Sequence, residues 1–503
     1  MARSTTIQES KPDAPASDIA RIAGRGTAYI TAAKLWFMVT GYGIYFTLPR
    51  LLSKEQFGLY QVVIGVVSIL NAVIITGTYQ TVSKYISQDE SKADLVKGKS
   101  LKLQVLIGGA ATLGFFLLAP VTAHFLNDPR VTGYLRIASL ITLSYSFYAV
   151  FTGYFNGQKR FLTQAALDMT YSTLKVVLIV LLVWLGYGVA GGVAGFALAA
   201  AGVLLVSAVV ARSGGLTTQA TSGEIRAGDL FRFQSYLLLF TLVLNLLQKV
   251  DLILIKSLSS TDASVTSINV ADYGAAINLA NITYQIIVSV TFVIFPLVSQ
   301  STFADDLEKT QAYISNTVRY TLMIMAGVAT LLSANAGKVL RVVYPSEYQS
   351  GSRALSIVAY GLLFFGLIHV LTTIISASGR PVISLLIGLL TLCASAGLNS
   401  LLIPRYGITG AAVGTTGAML IGALTSGGYL VSRFKALVPL ASLGKIALSV
   451  AIVFVVARVL PPGSKIVAVG QIAALGALYV AGLVITRELG RNEVTMIKRV
   501  LKG

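Results

Sequence analysis

Apolar runs long enough to cross a lipid bilayer recur along this chain, and their number limits its fold more than any other feature. A helix needs about 20 apolar residues to span the hydrocarbon layer. Fourteen such segments can be drawn, at roughly 26–48, 58–83, 103–123, 133–156, 164–186, 189–211, 233–257, 269–298, 314–336, 354–377, 382–403, 408–431, 445–460 and 466–486. The polar connections are short, the longest lying near 84–102, 212–232 and 299–313. None has room for a separate soluble catalytic domain. Charged residues make up only 12% of the chain, against about 25% in a soluble domain. That is too little polar surface to cover a globule. The expected fold class is an all-α polytopic membrane protein of about 14 transmembrane helices.

Lys and Arg fall unevenly between these segments. With the N-terminus placed in the cytoplasm, 25 lie on the cytoplasmic side, 10 on the outer side and four deep in helices. Basic residues favour the cytoplasmic face. The bias therefore supports an even number of spans, with both termini cytoplasmic. The net charge of +19 reads as membrane orientation, so no nucleic-acid partner is expected. Residues 1–24 are polar and mildly basic, without a signal-like apolar core, and read as a cytoplasmic tail. The single cysteine, Cys393, excludes an intrachain disulfide. His124 and His369 are far apart, and no metal site is expected.

The chain also repeats itself. "YGVAGGVAG" (187–195) returns as "YGITGAAVG" (406–414), offset by 219. Arg160 in "GYFNGQKRF" and Arg380 in "SASGRP" are offset by 220, and "EQFGLY" (55–60) and "ADYGAA" (271–276) by 216. One Gly-rich match could arise by chance, since glycine is common in membrane helices. Three at nearly one offset argue for duplication. Six helices separate the two YG turns, so both copies face the same way. The expected domains are a six-helix bundle at 25–212, a cytoplasmic linker at 213–232, a second bundle of parallel topology at 233–433, and two further helices with a cytoplasmic C-terminus at 434–503. Parallel repeats about an axis along the membrane normal are a transporter architecture with the substrate site between the halves.

"LPRLLSKEQFGLYQVV", "KVDLILIKSL" followed by "ADYGAA", "GYFNGQKRF" and the paired YG turns together resemble the multidrug/oligosaccharidyl-lipid/polysaccharide exporter superfamily. Within it, the chain looks like the polysaccharide flippase branch, which includes O-antigen and lipid II flippases. The resemblance covers residues 20–490. It implies a V-shaped molecule with a central cavity, a lipid-linked oligosaccharide substrate, and polysaccharide polymerases and glycosyltransferases as partners. It also implies basic residues on helix 1 that face the substrate.

Charge inside a membrane helix is costly and points to function by default. Lys34, Lys175, Lys249 and Arg458 are the basic cases, and Asp168 and Asp251 the acidic ones. Lys34 shares a polar, small-residue stripe with Thr27, Thr31, Gly41 and Tyr45, and either faces an anionic head group or snorkels to the interface. Helix 7 carries Thr241, Asn245, Gln248, Lys249 and Lys256. Helix 8 carries Asn278, Asn281, Gln285 and Ser289, and helix 2 carries Gln61, Ser68, Asn71 and Thr78. These stripes either line a wet cavity or hydrogen-bond across packed helices. The expected substrate-binding set is Lys34, Lys249, Asn71, Asn245, Gln248, Asn278, Asn281, Gln285 and Arg50. Asp251 and Asp168 are candidates for ion coupling. Lys249 and Asp251 are two residues apart and point different ways, so they do not pair directly. Arg50 and Lys54, at the outer mouth, read either as interface charges or as substrate contacts, and Arg458 reads as a snorkelling residue.

There is no Walker A pattern, and no cofactor is expected. The leading expectation is a flippase moving a polyprenyl-pyrophosphate oligosaccharide outward by alternating access around a basic lumen. A drug or organic-cation antiporter of the same fold is the alternative, although helices 1 and 2 lack the carboxylate a cation site would need. A membrane glycosyltransferase, polymerase or ligase would need acid/base or metal-binding groups beside a large outer loop. The chain is therefore not expected to be an enzyme. A scaffolding membrane protein remains as the last alternative.

Overall fold

The computed structural model describes residues 16–213, 228, 230–231, 241–285, 287–436, 438–461 and 463–490. The first fifteen residues of the expected tail, most of the linker at 213–232 and the chain after 490 lie outside them. The described residues form fifteen helices and no strand. These are α1 Ala16–Leu51, α2 Lys54–Gln88, α3 Ala93–Phe125, α4 Val131–Gly157, α5 Phe161–Leu182, α6 Gly188–Ser213, α7 Val250–Leu258, α8 Ala263–Gln285, α9 Val288–Phe303, α10 Leu307–Ala334, α11 Ala336–Val343, α12 Ser352–Ala377, α13 Pro381–Phe434, α14 Leu440–Val459 and α15 Lys465–Ile485. Among the described residues, nine stretches are long and apolar enough to cross a membrane. In lipid every backbone polar group needs a partner, which a helix supplies internally. The chain is a multi-pass helical membrane protein.

Two of the nine stretches cannot be straight. Pro381–Phe434 has 54 residues, about 81 Å at 1.5 Å per residue, against about 30 Å of hydrocarbon. It folds back at Gly407, whose φ/ψ of 55°/−135° is open to glycine alone. A methyl group at Gly414 would meet Asn399 N at 3.1 Å, so residues on either side of the turn face one another. The first half does the same. Gly188 has φ/ψ of 53°/−137°, and a methyl group at Gly195 would meet Ile179 N at 2.7 Å. The repeated YG motif is thus one hairpin turn built twice.

Helices α2, α4 and α6 pack together, with α1 on α5 and α3 on α4; α12 packs on α10, α13 and α8. The two groups meet where α2 crosses α8. Small residues let those backbones approach. A methyl group at Gly58 would strike the Ser267 carbonyl, and one at Gly274 would strike the Gln61 side chain. These are the glycines of "EQFGLY" and "ADYGAA", each lying against the other's helix. Helices α14 and α15 pack on α10.

Two expected segments are not single helices. The segment at 233–257 breaks in a turn at Gln248–Lys249, where Lys249 has φ/ψ of −129°/−12°. Its residues 233–240 lie outside the description. The segment at 269–298 divides into α8 and α9, with a turn at Ile287. Helix α11 was not anticipated. It is a short amphipathic turn that follows Asn335 and ends at Tyr344.

Candidate functional site

The candidate residues fall into three places. The first is a cavity of about 320 Å³ inside the first group of helices. Ala33, Lys34 and Phe37 of α1 line it, with Ile75 and Tyr79 of α2, Tyr145, Tyr148 and Thr152 of α4, and Gln164, Asp168 and Tyr171 of α5. Helix α1 rests mainly on α5 and touches α2 little, which leaves this space. Lys34 is exposed on it. Sixteen residues separate Lys34 from Arg50, about 24 Å along the helix. Lys34 therefore sits toward the basic end of the molecule. The Tyr148 hydroxyl donates to Asp168 Oδ1 at 2.8 Å, and Lys34 and Asp168 attract one another electrostatically. Asn156 Nδ2 donates to Gln164 Oε1 at 2.8 Å and holds that amide in place. Lys175, one turn beyond Tyr171, is buried among rings, 4.4 Å from the Phe37 centroid and 5.4 Å from that of Tyr171. Cation–π attraction offsets part of its desolvation.

The second place is a buried network in the other half. Asp251 is 2% exposed. Its Oδ2 accepts from Tyr273 Oη at 2.6 Å and from Thr415 Oγ1 at 3.2 Å, and its Oδ1 accepts from Leu252 N at 2.8 Å. Asn399 Nδ2 donates to Thr415 Oγ1 at 3.1 Å and to Ser395 Oγ at 3.2 Å. Asn399 Oδ1 is buried without a hydrogen bond. Asp251 thus brings together α7, α8 and both arms of the α13 hairpin. Lys249, half-buried in the turn before α7, acts on it electrostatically without a direct pair. Asn245 donates to its own helix at Thr241 O, 2.8 Å away, and Gln248 is half-buried in the same turn.

The third place is the crossing of α2 and α8, at the lightly charged end. Asn278 Nδ2 donates to Gln61 Oε1 at 3.3 Å, and both residues are buried. In this conformation they join two helices; they do not line open space. Asn71 is 6% exposed and its Oδ1 has no partner. Asn281 is half-buried and Gln285 exposed, at the end of α8 before the break. Arg50 donates to Phe46 O and to Val343 O, so it spans the two halves.

The sequence singles out Lys54 and Lys256, but sequence reasoning missed the partners they and Arg130 find at this end. Lys54 Nζ pairs with Asp272 Oδ1 at 2.8 Å and donates to Glu347 O at 2.7 Å. Arg130 pairs with Glu55 at 2.7 Å and Asp128 at 2.9 Å. Lys256, fully buried, pairs with Asp128 Oδ2 at 2.8 Å and donates to Ser267 Oγ at 2.7 Å. The signal available was a set of opposite charges in short connections, with no indication of which would meet. Among the described residues, no three metal-ligating side chains cluster.

Two helical groups of matching hairpin construction, crossing at one end and carrying ionisable residues within their membrane helices, define a transporter-type architecture. Residues 23–302 match the polysaccharide biosynthesis protein family, and the chain belongs to that family. An uncharacterized membrane protein of Methanocaldococcus jannaschii is 30% identical over 148 residues, 29% of either chain. The match thus spans less than a third of that relative. The uncharacterized membrane protein YabM of Bacillus subtilis is 24% identical over 73% of this chain and 72% of its own. Among solved structures, the lipid II flippase MurJ in an inward closed conformation superimposes with a TM-score of 0.74 at 15% identity, over 92% of this chain and 99% of that one. An inward-facing multidrug resistance MATE family transporter of the same exporter superfamily gives 0.65 at 17% identity, over 80% and 95%. The fold is that of the multidrug/oligosaccharidyl-lipid/polysaccharide exporters. The matched proteins whose names state a role are transporters and flippases, in line with the expectation of a non-enzymatic protein.

Proposed function

We propose that this protein is a flippase that carries a polyprenyl-pyrophosphate-linked oligosaccharide from the inner to the outer leaflet of the cell membrane. In this reading both termini are cytoplasmic and the basic end of the molecule faces the cytoplasm. The observation that carries it is Lys34, exposed on a cavity toward that basic end, in a chain of the polysaccharide biosynthesis family. A cation there meets the pyrophosphate, while the polyprenyl tail stays in lipid. The sealed opposite end supports a state loaded from the cytoplasm, from which rocking of the halves would deliver the head group outward. Asp251 is the coupling group in this reading, because a buried carboxylate held by neutral donors can exchange a proton or cation as the halves move. Glycosyltransferases that build the oligosaccharide and a polymerase that consumes it would be its partners.

An organic-cation antiporter is the second reading. It draws on Asp168, which supplies the carboxylate that helices 1 and 2 lack, inside an aromatic cavity. Lys34 in the same cavity repels a cation and weighs against it.

The test is reconstitution with a fluorescent polyprenyl-pyrophosphate oligosaccharide, following head-group translocation in wild type, Lys34→Ala and Lys249→Ala. Movement in wild type and loss in both variants, with normal insertion, is the expected result. Movement unaffected by either variant would keep the flippase and reject the basic lumen. No movement, together with proton-dependent efflux of an organic cation, would establish the antiporter.

A further inference from the structure

Lys34 and Asp251 have roles in the flippase reading, but Asp168 and the five rings around it do not. Phe37, Tyr79, Tyr145, Tyr148 and Tyr171 line the same cavity. Tyr145 meets Tyr171 edge to face, at 5.2 Å between centroids, so the cluster holds its own shape with space left beside it. Tyr171 is 3% exposed, and its hydroxyl lacks a hydrogen bond of good geometry although Tyr145 stands beside it. Asp168 takes the Tyr148 hydroxyl on Oδ1, and a carboxylate has capacity for further donors.

The charges are balanced, with Lys34 and Asp168 facing one space. A cation entering it is repelled by Lys34, and an anion drawn to Lys34 is kept from the space beside Asp168. A neutral ligand with an apolar face and a rim of hydroxyls meets neither penalty. Rings suit its C–H face, while a carboxylate, an amide and a phenol suit its hydroxyls. Ligand pockets of this size commonly combine an apolar lining with a few placed polar groups.

We propose that this cavity is a subsite for a pyranose ring, the sugar next to the pyrophosphate of the lipid-linked substrate. The phosphate stays at Lys34. The sugar stacks on the less buried rings, Phe37, Tyr79 and Tyr145, and its hydroxyls bond Asp168, Gln164 and Tyr171. This inference rests on the flippase reading and adds what selects the head group.

Two probes test it on the purified full chain: farnesyl pyrophosphate, and the same lipid carrying one N-acetylglucosamine on its pyrophosphate. Calorimetry gives the affinity of each. In wild type the sugar should tighten binding about tenfold, as one well-placed ring contact with hydrogen bonds supports. Tyr145→Leu should erase that increment, read as the ratio of the two affinities. Tyr171→Phe, which keeps the ring, should reduce the increment alone. Lys34→Ala should weaken both probes together. Equal binding of the two probes to wild type, or an increment that survives both tyrosine changes, overturns the sugar subsite and leaves the flippase intact. If neither probe binds wild type and translocation also fails, the flippase reading falls and the subsite with it.

Discussion

Gly188 and Gly407 stand in a backbone region closed to other residues, with φ/ψ within two degrees of one another. Holding a side chain there costs about 1–3 kcal/mol. Gly407→Ala should therefore lower the thermal midpoint of the detergent-solubilised protein. Gly397→Ala, in the same hairpin with open space beside it, should leave the midpoint unchanged. Equal losses from the two would mean that the turn is not the cause. The same scale explains what could be read in the chain. Lys34, Asp168 and Asp251 stand out because a charge in an apolar run is conspicuous without any structure. Their partners do not. Tyr273 lies 22 residues from Asp251 and Thr415 lies 164 away, and no local pattern announces either contact.

At the scale of elements, hydropathy finds where the chain crosses lipid but is blind to hydrogen-bond register. The turns at Gln248–Lys249 and Ile287 fall beside polar residues that recur at helical spacing, so the pattern reads as a continuous stripe and does not mark a break. Helix α11 has eight residues, too few for any span pattern, yet it links distant parts. Lys338 donates to Gln471 Oε1 at 2.7 Å and Arg341 to Gly463 O at 3.1 Å, both toward α15. At its other end, α15 is tied by Glu488. Arg319 of α10 donates to the Glu488 carboxylate and carbonyl, and Lys445 of α14 lies 3.5 Å from the carboxylate. Burial works to raise the Glu488 pKa, but the Arg319 hydrogen bond and the nearby Lys445 outweigh it. The group titrates below its ordinary 4.5. A folded-state pKa below the unfolded value stabilises above the unfolded value, and that stability is lost as pH falls through the folded one. The melting midpoint should therefore drop as pH is taken below 4.5. Glu488→Gln should start lower at neutral pH and show a flatter fall. An unchanged slope in the variant would remove Glu488 as the cause.

For the whole molecule, two charged contacts bridge the halves at the lightly charged end, Lys54–Asp272 and Lys256–Asp128, and Glu55, held by Arg130, accepts from Ser264 Oγ across the same seam at 2.8 Å. In the proposed alternating-access cycle these contacts would separate once per turn. Their chemistry fits that need better than an apolar seam would. Each partner regains water on opening, so the latch is stable when dry and costs little when wet. Lys256 is the central piece. It is fully buried, and it joins the α3–α4 connection to α7 and α8. Lys256→Met removes the attraction to Asp128, which keeps Arg130 as a partner, so the fold should survive while the closed end weakens. Each 1.4 kcal/mol lost from the closed state shifts the two populations about tenfold. Spin labels at Gly133→Cys and Ser346→Cys, in a Cys393→Ala background, report the separation of the two halves at this end. Lys256→Met should move the distance distribution toward longer values and raise thiol reactivity there. Arg136→Gln, at the same end and facing Phe116 with its guanidinium 5.0 Å from the ring, lies outside the latch and should move neither. A distribution that stays short in Lys256→Met would show that helix packing at Gly58 and Gly274 closes this end without the charges.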